Sequence, residues 1–163
     1  MDSNSRKILN GYVPFLRSMG GRNNIKLGFI ATASSQLNNN SSDAFNCFYT
    51  GCWGTGGEWL SNNETRNLWI QVECRDLVRI WKTALRGRET NTQIIYRWQL
   101  EASTDDVNFV TLFPAPNPIN LENEVQQFDV ETVHKYNCYR LFCLEAEFSN
   151  PGLSYMPLFI YSD

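Results

Sequence analysis

Apolar and polar residues alternate with a period of two over several short stretches of this chain, the pattern of half-buried β-strands. In residues 68–74, Leu68, Ile70, Val72 and Cys74 share one face, while Trp69, Gln71 and Glu73 share the other. Residues 77–85 and 94–103 continue the series. In the second of these, Tyr96, Trp98, Leu100 and Ala102 oppose Arg97, Gln99 and Glu101. The run Thr104-Asp105-Asp106-Val107-Asn108-Phe109 predicts a hairpin into a strand over 109–112, because Asp and Asn side chains hydrogen-bond the backbone of tight turns. Pro114, Pro116 and Pro118 each lack a backbone donor, so 114–123 reads as a connection. Strands over 125–130, 138–146 and 158–161 complete the set. The Ser- and Asn-rich residues 34–43 predict a surface loop. Helix is confined to a turn within 10–19, and residues 1–10 form a loose tail. The fold class expected is all-β: one jelly-roll β-sandwich of about eight antiparallel strands over residues 11–163.

Composition narrows the function classes. With 163 residues, 42% of them hydrophobic and 13% aromatic, the chain can bury one substantial core. A net charge of −3 supplies no positive field for phosphate backbones, which excludes nucleic acid, and it disfavours anionic lipid. No apolar run approaches the roughly 18–20 residues of a membrane-spanning helix. No signal-type apolar stretch follows the first residues, so a cytoplasmic location is expected for the chain as given. A fragment of a longer protein would be consistent with a secreted or cell-surface location. Five cysteines, Cys47, Cys52, Cys74, Cys138 and Cys143, cannot all pair within one chain and read as free thiols. Asn-x-Ser/Thr triplets at Asn39, Asn40 and Asn63 fit the secreted alternative.

Several segments, taken in order, resemble the discoidin or coagulation-factor type C domain. They are Ala31-Thr32-Ala33-Ser34-Ser35, Ala44-Phe45-Asn46, Cys52-Trp53, Trp69-Ile70-Gln71-Val72-Glu73, Val78-Arg79-Ile80, Arg86-Gly87-Arg88, 100–109 and Tyr139-Arg140-Leu141. The match runs in order over about 28–161. The resemblance implies a galactose-binding-like Greek-key sandwich whose ligands, sugars, phospholipid head groups or other proteins, sit in loops at one end. The fold does not choose among them. Two departures stand out. Calcium-binding members use an Asp in the loop where this chain has Asn46 then Cys47, and no cysteine precedes Cys47 or follows Cys143 to tie the termini.

The candidate chemistry is that of binding. His134 is the only histidine, and no nucleophile and orienting acid accompany it in the sequence, so no enzyme is expected. Cys47-x4-Cys52 and Cys138-x4-Cys143 invite a zinc reading. In a strand, however, Cys138 and Cys143 would lie about 16 Å apart on opposite faces, and ligands of one zinc lie about 4 Å apart. Calcium could use Asp43, Asn46 and backbone carbonyls, or the same loop could be held by side-chain to backbone hydrogen bonds. The glycines of 52–59 allow an indole to stand out and stack on a pyranose. Trp53 matches a packed family tryptophan, which leaves Trp59 as either ligand platform or core. Arg88 matches a ligand-contacting arginine of the family, with Arg86, Asn91 and Glu58 as its companions; a guanidinium fork suits vicinal hydroxyls. The expectation is a carbohydrate-binding, lectin-like module for a glycan or glycoprotein. The alternatives are a protein-interaction module using the same rim and, third, a phospholipid-surface binder. A homo-oligomer would strengthen weak sugar sites.

Overall fold

A computed structural model describes residues 12–13, 29–37, 44–48, 58–87, 93–115, 118–119, 125–147 and 150–160. These residues form eleven strands: β1 (Tyr12–Val13), β2 (Phe29–Ala33), β3 (Trp59–Leu60), β4 (Leu68–Val78), β5 (Ile80–Gly87), β6 (Ile95–Ser103), β7 (Val110–Ala115), β8 (Gln126–Asp129), β9 (Tyr136–Ala146), β10 (Gly152–Tyr155) and β11 (Leu158–Ile160). One antiparallel sheet has the order β2-β4-β9-β6-β7. The other runs β1-β11-β5-β10-β3, with β8 on the far edge of β5. Sequence neighbours are therefore often not sheet neighbours, as in a Greek-key sandwich.

Alternation explains how the sheets meet. Leu68, Ile70, Val72 and Cys74 of β4 are buried together with Trp98, Leu100 and Ala102 of β6 and Tyr139, Leu141 and Cys143 of β9. From the facing sheet, Phe128 of β8 reaches across to Trp98 and Phe113, with ring centroids 5.1 and 5.3 Å apart. This aromatic contact joins the two layers at the β6 to β8 side. The polar positions of the same strands lie on the outer face but are not all wet. Glu101 is nearly buried, paired with the Arg140 guanidinium, which also stacks 3.4 Å from the Phe109 ring centre.

The chain departs from the sequence-based expectation in several places, among them the strand expected over 77–85, which is split at Arg79 between the end of β4 and β5. Strand β7 continues through Pro114, which faces Gln99. Because β7 is the edge strand of its sheet, the missing N–H costs no ladder bond there. Strands β3 and β10 are only two and four residues long, too short to show countable alternation. Residues 44–48 form a 3-10 helix, which no periodicity predicts. Within the segment expected to hold a helical turn, Tyr12 and Val13 instead pair with Phe159 and Leu158.

The register gathers the following connections at two opposite ends. At the first, β4 turns into β5 through Arg79, β6 joins β7 through residues 104–109, and β8 joins β9 through 130–135. At the second lie the segment after β2, the β3–β4 loop 61–67, the connection after Gly87 and the β9–β10 connection.

The predicted hairpin at the first end is built around Asp105. Its carboxylate accepts from the Asn108 N–H at 2.7 Å, the Asn108 side-chain amide at 2.7 Å, the Val107 N–H at 3.0 Å and the Ser103 hydroxyl at 2.9 Å. These donors, led by the Asn108 N–H, hold the carboxyl well below its ordinary value of 3.8. A depressed folded-state pKa contributes stability that is present above about pH 4 and lost as the pH falls below it. Asp105→Ala should accordingly lower the melting temperature at pH 7, and the gap to the parent should narrow at pH 3 in paired thermal melts.

Candidate functional site

The second end holds Glu58 and the end of β5 at Gly87, next to which the sequence put its candidate contacts, and backbone and side-chain bonds clamp its described loops to one another. The Asn63 N–H donates to the Asn150 side-chain oxygen at 2.7 Å, and the Ser61 N–H to the Pro151 carbonyl at 3.0 Å. The Leu37 N–H reaches the Leu60 carbonyl at 2.9 Å, and the Asn62 N–H the Ser35 hydroxyl at 3.2 Å. Asn63, Asn67 and Asn150 take positive φ, a conformation that asparagine tolerates better than most residues. Three connections that are far apart in sequence thus form one rim.

Within that rim, Glu58 immediately precedes β3, and β5 ends at Gly87. Leu153 of β10 pairs with Trp59 on one side and with Gly87 on the other. Two strand spacings, about 10 Å, therefore separate the backbone beside Glu58 from the backbone at which the chain continues into Arg88. Arg88, Asn91, Asp43, Cys52 and Trp53 lie outside the described residues. The Glu58 side chain is half-buried.

Three other candidates are corrected. Trp59 is fully buried, at 0% exposure, and its indole Nε1 donates to the Ser35 carbonyl at 2.9 Å. It is a core residue that pins the segment after β2 to β3, and it offers no face on which a sugar could stack. Arg86 is also buried, at 4%, inside β5, where it pairs with Tyr155 of β10, so it does not stand on an open rim. Asn46, the calcium candidate, is buried and donates its side-chain amide to the Glu58 carbonyl at 3.4 Å. It works as a clamp on the loop that carries Glu58. The signal missed for Trp59 was its short strand: a residue of β3 is enclosed by β10 and the 3-10 helix, and neither was legible in the alternation.

The thiols are structural. Cys47, Cys74, Cys138 and Cys143 are free and buried, and the Cys47 thiol donates to the Leu153 carbonyl at 2.8 Å. Burial, helped by nearby carboxylates, pushes Cys74 and Cys143 up to about 12, and burial beside Asp106 raises Cys138 as well. Such thiols are neutral and unreactive near neutral pH. Cys138 and Cys143 are five residues apart in β9 and project to opposite faces, as the spacing predicted. Among the described residues, no group of three His, Cys, Asp or Glu side chains is placed to hold a metal ion.

No family model and no curated protein matches the sequence. Solved structures do. A family 32 carbohydrate-binding module of a Clostridium perfringens family 89 glycoside hydrolase, in complex with GalNAc-β-1,3-galactose, superposes with a TM-score of 0.68 at 18% identity. The match covers 80% of this chain and 94% of that one. The family 32 module of C. perfringens NanJ, in complex with galactose, gives 0.64 at 11% identity over 93% and 99% of the two chains. Chitosan-binding module 1 of a Paenibacillus sp. IK-5 chitosanase/glucanase gives 0.63 at 16% over 83% and 98%. The fold is the galactose-binding-like β-sandwich. At these identities the likeness establishes the architecture, and the chemistry of the site has to be argued from this chain's own residues.

Proposed function

We propose that this chain is a non-catalytic carbohydrate-binding module of the discoidin type, taking a galactose-type glycan in the loops at the β3, β5 and β10 end. The observation that carries the reading is the strand pairing that brings the Glu58 backbone and the start of the Arg88 loop to within about 10 Å of each other. A carboxylate on one of these backbone segments and a guanidinium on the other would offer acceptors and donors to the hydroxyls of one sugar ring. The similar modules named above, two of which were solved in complex with galactose-containing ligands, support the substrate class. The buried thiols and a histidine at the opposite end of the sandwich are in keeping with binding rather than catalysis. With Trp59 withdrawn to the core, Arg88, Asn91 and Glu58 are the residues proposed to contact the glycan.

A glycan array compared with an Arg88→Ala control tests this. The parent should retain a galactose-containing subset, and the variant should lose at least tenfold in retention with an unchanged melting temperature. Equal retention by the two proteins would remove Arg88 from the site. A parent that binds nothing on the array would favour a protein ligand on the same rim.

A further inference from the structure

At the first end of the sandwich, remote from those loops, β5 and the β8–β9 connection border a concavity of about 590 Å³. Arg79, Trp81, Asp129, Glu131, Thr132 and His134 line it. We propose that this concavity is a second saccharide site, one that takes a neutral mono- or disaccharide through its vicinal hydroxyls.

The size falls within the roughly 300–1,000 Å³ of small-molecule sites. The lining also has the mixture that a polyol needs. Arg79 can only donate, the Asp129 and Glu131 carboxylates only accept, and the Thr132 hydroxyl and the His134 ring can do both. Each hydroxyl of a vicinal pair both donates and accepts, so a wall of a single kind would leave half of its capacity unmet.

Charge selects the neutral ligand. Two carboxylates and one guanidinium line the concavity, and Asp129 lies 3.7 Å from the Lys82 ammonium. An anion would meet Asp129 and Glu131, and a cation would meet Arg79. An uncharged ring bearing hydroxyls meets no like charge. The apolar face of such a ring also finds contact, since Val133 in the same connection is 79% exposed and the largely buried Trp81 forms part of the lining.

The walls are already in place. The Val130 N–H donates to the Trp81 carbonyl at 2.9 Å, which locks the connection onto β5. Trp81 packs against Phe159 with 5.7 Å between ring centroids, and His134 stands edge-on to Tyr136 at 6.5 Å. Within the connection, the His134 N–H donates to the Thr132 hydroxyl at 3.2 Å. A preformed site loses less to ordering when it binds. Strand β4 alone separates the two ends by eleven residues, roughly 35 Å of extended chain, so one small sugar cannot occupy both sites and each binds independently.

The test is a series of 1H–15N spectra recorded while galactose, N-acetylgalactosamine and cellobiose are added in turn, with sodium acetate as a charged control. The proteins are the parent, the double variant Glu131→Ala/His134→Ala and Arg88→Ala. Glu131 and His134 are exposed, so the double variant should fold, which an unchanged melting temperature verifies. At least one of the three sugars should shift the amides of 129–134 in the parent and in Arg88→Ala, and the double variant should bind it at least tenfold more weakly. The proposal is overturned if no sugar of the panel moves those amides, if the shifts survive in the double variant, or if acetate moves them more than any sugar does. Amides of 58–62 report the other end in the same spectra. Response there with silence at 129–134 overturns this site alone; the converse overturns the loop-end reading alone.

Discussion

Trp59→Ala should cost about 3–5 kcal/mol of unfolding free energy, the largest loss expected from any single truncation near the candidate glycan site. The indole is fully buried, and deleting it leaves a cavity between β3, β10 and the 3-10 helix that surrounding backbone cannot fill. It also leaves the Ser35 carbonyl without its indole donor, at a point where that bond ties the segment after β2 to the sheet. In a chain of this length the loss corresponds to a drop of roughly 10 °C in melting temperature. Trp59→Phe separates the two roles that an indole could play here. It keeps most of the packed volume and loses the donor, so it should cost about 1–3 kcal/mol while leaving glycan retention within twofold of the parent. Urea unfolding and glycan retention, measured on both variants, check this. Retention lost in Trp59→Phe with stability intact would return Trp59 to the ligand surface and contradict its burial.

Strands long enough to repeat were legible in the sequence, and strands held by their neighbours were not. β4 and β6 have eleven and nine residues, so their alternation is counted several times over, and apart from the half-buried Tyr96 the apolar faces named from it are buried in the sandwich. β3 is set by pairing with β10, over ninety positions later, and β10 by pairing with β3 and β5, relations that no local pattern records. Trp59 stayed open between ligand platform and core for that reason: its glycine-flanked context fits both, and only the partner strand encloses it. Arg86 failed similarly, because β5 is covered on both edges and its burial does not follow a period of two. The polar face was assigned correctly for Gln71 and Glu101, but not their burial. That burial depends on Arg140 and Phe109 closing over Glu101 and on Asp106 meeting Gln71 at 3.1 Å. The concavity beside His134 was equally invisible, since its walls come from β5 and from a connection some fifty residues later.

Gly152→Ala should destabilise by about 3 kcal/mol or more, and its reach should extend to the site although residue 152 touches no ligand. A Cβ at this position would run into the Trp59 carbonyl oxygen and the Leu60 Cδ2, both far inside ordinary contact. The leucine can swing away. The carbonyl cannot, because it belongs to the strand that pairs with β10 through Gly152 and Leu60. Relief therefore requires β3 and β10 to part, and these two strands set the spacing between Glu58 and the start of the Arg88 loop. Glycan retention should fall together with stability. The double variant Leu60→Ala/Gly152→Ala distinguishes the two obstacles, since residues in contact reveal their coupling in such a cycle. Removing the leucine should recover only a minor part of the Gly152→Ala loss in denaturant midpoint, leaving the larger part to the carbonyl. Recovery to the level of Leu60→Ala alone would show that the side chain was the whole obstacle and that the β3–β10 pairing tolerates a Cβ. In that event Gly152 would cease to explain how the two halves of the rim are held in register.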